Sequence, residues 1–105
     1  MTKPVPWIFL FATVSLACSS STSSRVTTIN GLKGDATAGK SVYTNNCASC
    51  HGSDAKSGSA RENLPSKSAS TAYTQIIDGK GSMPSFDNLS DQDIANVWAY
   101  VQTLK

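Results

Sequence analysis

Cys47-Ala48-Ser49-Cys50-His51 is the stretch on which the reading of this 105-residue chain turns. It gathers two of the three cysteines and the single histidine. A structural zinc site would need a fourth ligand and usually a second, separated pair. No other histidine exists, and the remaining cysteine, Cys18, stands across a Ser/Thr-rich stretch. A thioredoxin-like redox pair belongs in a βαβ context, for which the chain has no pattern. A disulfide across C-x-x-C closes too short a loop to restrict the unfolded chain much.

The pattern that fits is C-x-x-C-H, the attachment signature of a c-type haem. Two thiols three residues apart on a helical turn can add to the two vinyl groups along one edge of the ring. The imidazole on the next residue then faces the iron. Thioether bonds do not dissociate, so such a cofactor is retained outside the cell. One covalent haem c is therefore expected on Cys47 and Cys50, with His51 as an iron ligand. The other axial ligand must come from elsewhere. Of the two methionines, Met1 leaves with a leader segment, and Met83 sits in Gly79-Lys80-Gly81-Ser82-Met83-Pro84. Glycines let the backbone approach a ring closely, and Pro84 holds Met83 extended. A methionine filling a core gap is the plainer reading, but a Gly- and Pro-flanked loop favours ligation. The expected iron ligands are His51 and Met83.

Composition agrees. Charged residues make up 15% of the chain, well below the usual quarter, which disfavours a charged disordered chain or a coiled coil. A net charge of +2 gives no footprint for nucleic acid. Much of the hydrophobic content lies in residues 1–17 (MTKPVPWIFLFATVSLA). The remainder is thin for a domain of this size, and small thin cores usually need a disulfide, metal or cofactor.

Residues 1–17 read as a signal peptide: Lys3 is followed by an apolar run too short to span a bilayer comfortably. With Ser15 and Ala17 before Cys18, the segment resembles a bacterial lipoprotein signal. That resemblance implies acylation of Cys18 and a membrane anchor on the periplasmic side. Residues 18–31 read as a Ser/Thr-rich linker, a flexible leash with an r.m.s. span of about 20 Å. Val26–Ile29 is the one run in it that alternates like a short strand. The folded domain is expected over 32–105.

Within it, Asp35 caps a helix over Ala36–Asn46. Gly52–Ser70 reads as loop, Thr71–Asp78 as a short helix closed by Gly79, and Gly79–Phe86 as loop. Ser90 with Asp93 starts the last helix, whose apolar stripe is Ile94, Val97, Trp98, Val101 and Leu104. The expected fold is all-α, with three helices and long loops. One motif competes: Gly34–Ser41 (GDATAGKS) matches the P-loop pattern G-x-x-x-x-G-K-S. A P-loop needs a parallel sheet and an acidic Mg²⁺ motif, and the helices and loops here leave no room for that sheet. Nucleotide binding at 34–41 is set aside.

At this point the chain resembles the class I monohaem c-type cytochromes of the small bacterial type. The resemblance rests on AGKSVYTNNCASCHG (38–52), GKGSMPSF (79–86) and IANVWAYVQTL (94–104). It implies a cytochrome c fold, three to four short helices wrapped around one covalently bound haem, with first and last helices crossing. It implies close approach at Gly39, with Tyr43 packed in the crossing and answered by Val97 and Tyr100. It implies that a loop carbonyl near Pro65 accepts from the proximal imidazole. Trp98 departs from the small residue usual at its position. The implied function is a one-electron carrier rather than an enzyme, monomeric, exchanging electrons with exported or membrane redox proteins. The alternative is a haem-based enzyme or gas sensor, which requires Met83 to leave the iron easily. The lipid anchor has a direct check: Cys18→Ala is expected to move the protein out of the membrane fraction, and unchanged fractionation refutes acylation.

Overall fold

The computed structural model describes residues 21–105; the leader 1–17 and Cys18 lie outside the described residues. Each of the four longer helices starts at a polar side chain that accepts an otherwise unpaired backbone N–H. Ser21 Oγ accepts from Ser24 N at 3.2 Å and opens α1, Thr22–Asn30. Asp35 Oδ1 accepts from Thr37 N at 2.9 Å and opens α2, Ala36–Asn46. A four-residue α3, Ala48–His51, follows at once. After a 3-10 turn at Leu64–Ser66, Ser68 caps α4, Ala69–Asp78, two residues earlier than the sequence suggested. Ser90 Oγ accepts from Asp93 N at 3.0 Å and opens α5, Asp91–Gln102.

The most extensive contact is α2 on α5. It is possible because Gly39 has no side chain: a Cβ there would overlap the Asn96 carbonyl of α5. Backbones that close let Tyr43 bury against Val97 and Val101, with the Tyr100 ring 5.5 Å from its own. The expected roles of Gly39, Tyr43, Val97 and Tyr100 are those observed. Asn96, the buried polar residue of α5, is satisfied: its Oδ1 accepts from Asp35 N and from Gln92 Nε2, both at 2.8 Å. Asp35 therefore caps α2 and ties its start to α5.

Residues 18–31 are not a leash where the structure describes them. From Thr22 onward they form α1, and Ile29 is fully buried with Tyr73, Ile77, Ile94 and Ala95. The alternating run Val26–Ile29 is helical, not a strand. Arg25 fastens the helix: its Nε meets Asp91 Oδ1 at 2.8 Å, and its two terminal nitrogens donate to the carbonyls of Asp87 and Leu89. Thr22 Oγ1 donates to Asp78 Oδ1 at 2.6 Å. The sequence hid this because Ser and Thr are weak helix formers and only Val26, Ile29 and Leu32 supply an apolar edge. Such a helix is stable through tertiary packing, not propensity.

The P-loop reading finds no support. Helix α1 precedes Gly34, Gly34 packs on the Ala95 carbonyl, and Gly39 serves the helix crossing. Among the described residues there is no strand, only an isolated bridge between Lys80 and Met83. Among them, too, no helix is long and apolar enough to cross a membrane.

If α1 belongs to the core, Ile29→Ala costs about 2–5 kcal/mol in a urea unfolding titration of the holoprotein. A leash residue would cost nothing measurable.

Candidate cofactor site

Cys47 closes α2 and opens α3, its carbonyl accepting from Cys50 N at 3.3 Å and His51 N at 3.0 Å. The C-x-x-C-H segment is thus one helical turn, which puts residues i, i+3 and i+4 on one side. Both cysteines are free thiols, Cys50 exposed and Cys47 less so. Burial, with Cys50 nearby, pushes the Cys47 thiol up to about 11. A redox-active C-x-x-C does the opposite and stabilises a thiolate. Burial likewise lowers the His51 pKa, against the weaker pull of Glu62. His51 is therefore neutral at pH 7, the ligating form.

The turn is braced on its far side. Gly52, at φ +85°, ends α3, and the Tyr43 hydroxyl donates to the Gly52 carbonyl at 2.5 Å. That hydroxyl is pushed up to about 12, by burial first and then by Cys47, and so stays a donor. The chain then folds back: Gly58 N donates to His51 O at 3.2 Å and Ala60 N to Cys50 O at 2.8 Å. A Cβ at Gly58 would overlap the Cys50 carbonyl. Asp54 Oδ1 holds the loop by accepting from Lys56 N, Ser57 N and Ser57 Oγ, each at 2.9 Å. Those bonds keep its carboxyl below the usual range.

Met83 arrives from the other side. After Gly79 (φ +76°) ends α4, Lys80 and Met83 exchange backbone hydrogen bonds of 3.0 and 2.9 Å around a tight turn. Gly81, at φ +60°, takes the first central position, as a II′ turn requires. A Cβ on Gly81 would meet nothing, whereas one on Gly79 would crowd Met83 O at 2.6 Å. Gly81 is there for conformation alone, Gly79 for conformation and space. Beyond the turn, Phe86 N donates to Ile76 O at 2.7 Å, and Ser85 Oγ to Ile77 O at 2.5 Å.

Between these two segments lies a cavity of about 480 Å³ whose lining includes Cys47, Cys50, His51 and Met83. Its apolar walls come from Leu64, Ile76, Val97 and Trp98 among others. Trp98 is thereby placed: it faces the cavity, and its ring meets Tyr73 edge-on at 6.4 Å. His51 Nδ1 is buried without a hydrogen-bond partner, which is true of no other buried side-chain nitrogen or oxygen among the described residues. With Nδ1 enclosed by protein, Nε2 is the imidazole nitrogen left to a bound group in the cavity. The size, the apolar walls, the two thiols and the N/S donor pair fit a haem. They do not fit a bare metal ion: among the described residues no three His, Cys, Asp or Glu side chains are grouped to hold one. Pro65 is buried, but its carbonyl accepts from Gln102 Nε2 at 3.4 Å, not from His51.

Sequence reasoning passed over Gly58, Asp54, Ser85 and Phe86. Asp54-x-x-Ser57-Gly58 was a readable turn signal; Ser85 carried none.

Residues 34–101 match the protein family described as "Cytochrome C oxidase, cbb3-type, subunit III". The chain is 38% identical over 80 residues to cytochrome c6 of Bryopsis maxima, covering 65% of this chain and 90% of that protein. It is 41% identical over 83 residues to cytochrome c6 of Picosynechococcus sp., covering 64% and 71%. It is 37% identical over 90 residues to cytochrome c-554(547) of Halothiobacillus neapolitanus, covering 69% and 99%. No solved structure matches the chain.

The two kinds of glycine are separable by experiment. Gly58→Ala is expected to cost about 1–3 kcal/mol through overlap with Cys50. Gly81→Ala costs about 1–2 kcal/mol, through its backbone angle alone. Both losses are read in a denaturant titration of the holoprotein.

Proposed function

The chain belongs to the c-type cytochromes, and on that premise we propose that Cys47 and Cys50 bear its haem through thioether bonds, with His51 and Met83 as axial ligands. The chain is an electron carrier with a covalent haem c, not an enzyme. What carries the ligand assignment is that one cavity is lined by all four side chains, although Met83 lies 32 positions beyond His51.

When bound, the haem would supply Fe(II)/Fe(III) exchange, and with His51 and Met83 both as its ligands the iron would offer substrate no open site. The residues do the rest. The sulfur of Met83 favours the reduced state and raises the potential relative to a more basic ligand. His51 is held through the backbone of the loop folded onto it, and Met83 through the end of α4, so neither ligand has far to move when the charge changes. Leu64, Ile76, Val97 and Trp98, which line the cavity, would keep water from the ring.

We further propose export by residues 1–17 and acylation of Cys18. Helix α1 begins at Thr22 with Ser21 as its cap, four positions after Cys18. However extended, that stretch reaches no more than about 14 Å. The domain is then held close to a membrane surface, in place of a long leash, and exchanges electrons with redox proteins there. A high local concentration of partners compensates for a net charge too small for strong steering.

Optical spectroscopy tests the ligand set. Ferric protein is expected to show the weak long-wavelength thioether band, and reduced protein to bind carbon monoxide slowly at neutral pH. Met83→Ala should abolish the band and bind carbon monoxide rapidly, and Met83→His should lower the potential. A wild-type protein without the band, or binding the gas as fast as Met83→Ala, overturns the assignment.

A further inference from the structure

Met83 sits in a turn that touches the rest of the protein at few points. The turn is closed on itself by the two Lys80–Met83 backbone bonds. It leaves α4 at Gly79, whose N–H continues the helix by donating to Gln75 O at 2.8 Å. On the way back it is attached by the Phe86 N–H to Ile76 O and by the Ser85 hydroxyl to Ile77 O. Among the described residues, the Ser85 bond is the only side-chain hydrogen bond from 79–86 to another element. Ser85 Oγ also accepts from Asp87 N at 3.3 Å. A single hydroxyl thus joins the end of the methionine loop, the last turn of α4 and the segment leading to α5.

We propose that Ser85 is a positioning residue that latches the Met83 loop onto α4 and so sets how readily Met83 is displaced from the iron. This rests on Met83 being the ligand. A thioether is a neutral, weak donor, and its hold depends on the effective concentration that its loop imposes. Ile77 O is one of the carbonyls that a helix end leaves without an intrahelical partner. By satisfying it, Ser85 stabilises the closed loop relative to one swung away from the cavity. Proline at 84 stiffens the two-residue span between ligand and latch, so loosening at Ser85 is transmitted to Met83.

The experiment is an imidazole titration of ferric holoprotein at fixed pH, read by loss of the thioether band. Ser85→Ala is expected to bind imidazole about five-fold more tightly, the population change that one neutral hydrogen bond is worth. Asn88→Ala, an exposed change three residues on that removes no side-chain hydrogen bond, should stay within two-fold of wild type. Ser85→Thr and Ser85→Val differ chiefly in the hydroxyl, so Thr should behave as wild type and Val as Ala. This pair decides the matter if the alanine variant accumulates poorly. Wild-type affinity in Ser85→Ala or Ser85→Val overturns the latch while leaving Met83 as ligand. An equal rise in Asn88→Ala also overturns it, by showing general loosening. Absence of the band in wild type removes the ligand assignment, and the latch with it.

Discussion

The seat of Gly39 on the Asn96 carbonyl governs the rest of this structure. It sets the distance between α2 and α5, and everything that positions the C-x-x-C-H turn descends from that distance. Tyr43 lies one helical turn after Gly39, so the same approach drives its ring between Val97, Val101 and Tyr100. Its hydroxyl then reaches the Gly52 carbonyl, immediately after His51. A larger residue at position 39 would lift α2 away from α5 and take the imidazole with it. The buried Asn96 side chain secures the arrangement by accepting the N–H of the residue that caps α2.

The two halves of the site are held by different means. His51 belongs to a short helix whose loop turns back on it, with the close backbone contact at Gly58 and the Asp54 hydrogen bonds keeping that loop compact. Met83 belongs to a tight turn suspended from the end of α4, with Ser85 and Phe86 as its attachments. Between the two lies the cavity that both His51 and Met83 line. A thin side-chain core is the counterpart. The apolar centre that the side chains do not supply is reserved for a cofactor, and Trp98 bridges the cavity wall to the cluster around Tyr73 and Ile29.

Helix α1 shows how a polar segment becomes part of such a body. Thr22, Arg25 and Ile29 reach three different places: the end of α4, the start of α5 and the core between them. None of these contacts is local in sequence. Arg25 gains most, since it neutralises Asp91 in the first turn of α5 and fills two loop carbonyls. Those carbonyls belong to Asp87 and Leu89, so the helix braces the segment that follows the methionine loop.

Local signals were enough for much of the fold. Asp35, Ser90 and Gly79 are capping residues that act on N–H and C=O groups within a few positions, so the bounds of α2, the start of α5 and the end of α4 could be read directly. The C-x-x-C-H turn follows from spacing, because thioether attachment demands that spacing whatever surrounds it, and residue counts are what point to Met83 as the proposed partner of the only histidine. Helix α1, the Ser85 bond and the partner of the Pro65 carbonyl were not readable. A Ser/Thr-rich stretch has no helical bias of its own, a serine in a loop has many acceptors within reach, and a carbonyl takes whichever donor the packing brings. The sequence alone therefore determined which atoms can meet a haem. Only the tertiary structure decided what holds them there, because those restraints join residues far apart in the chain through contacts that carry no local pattern.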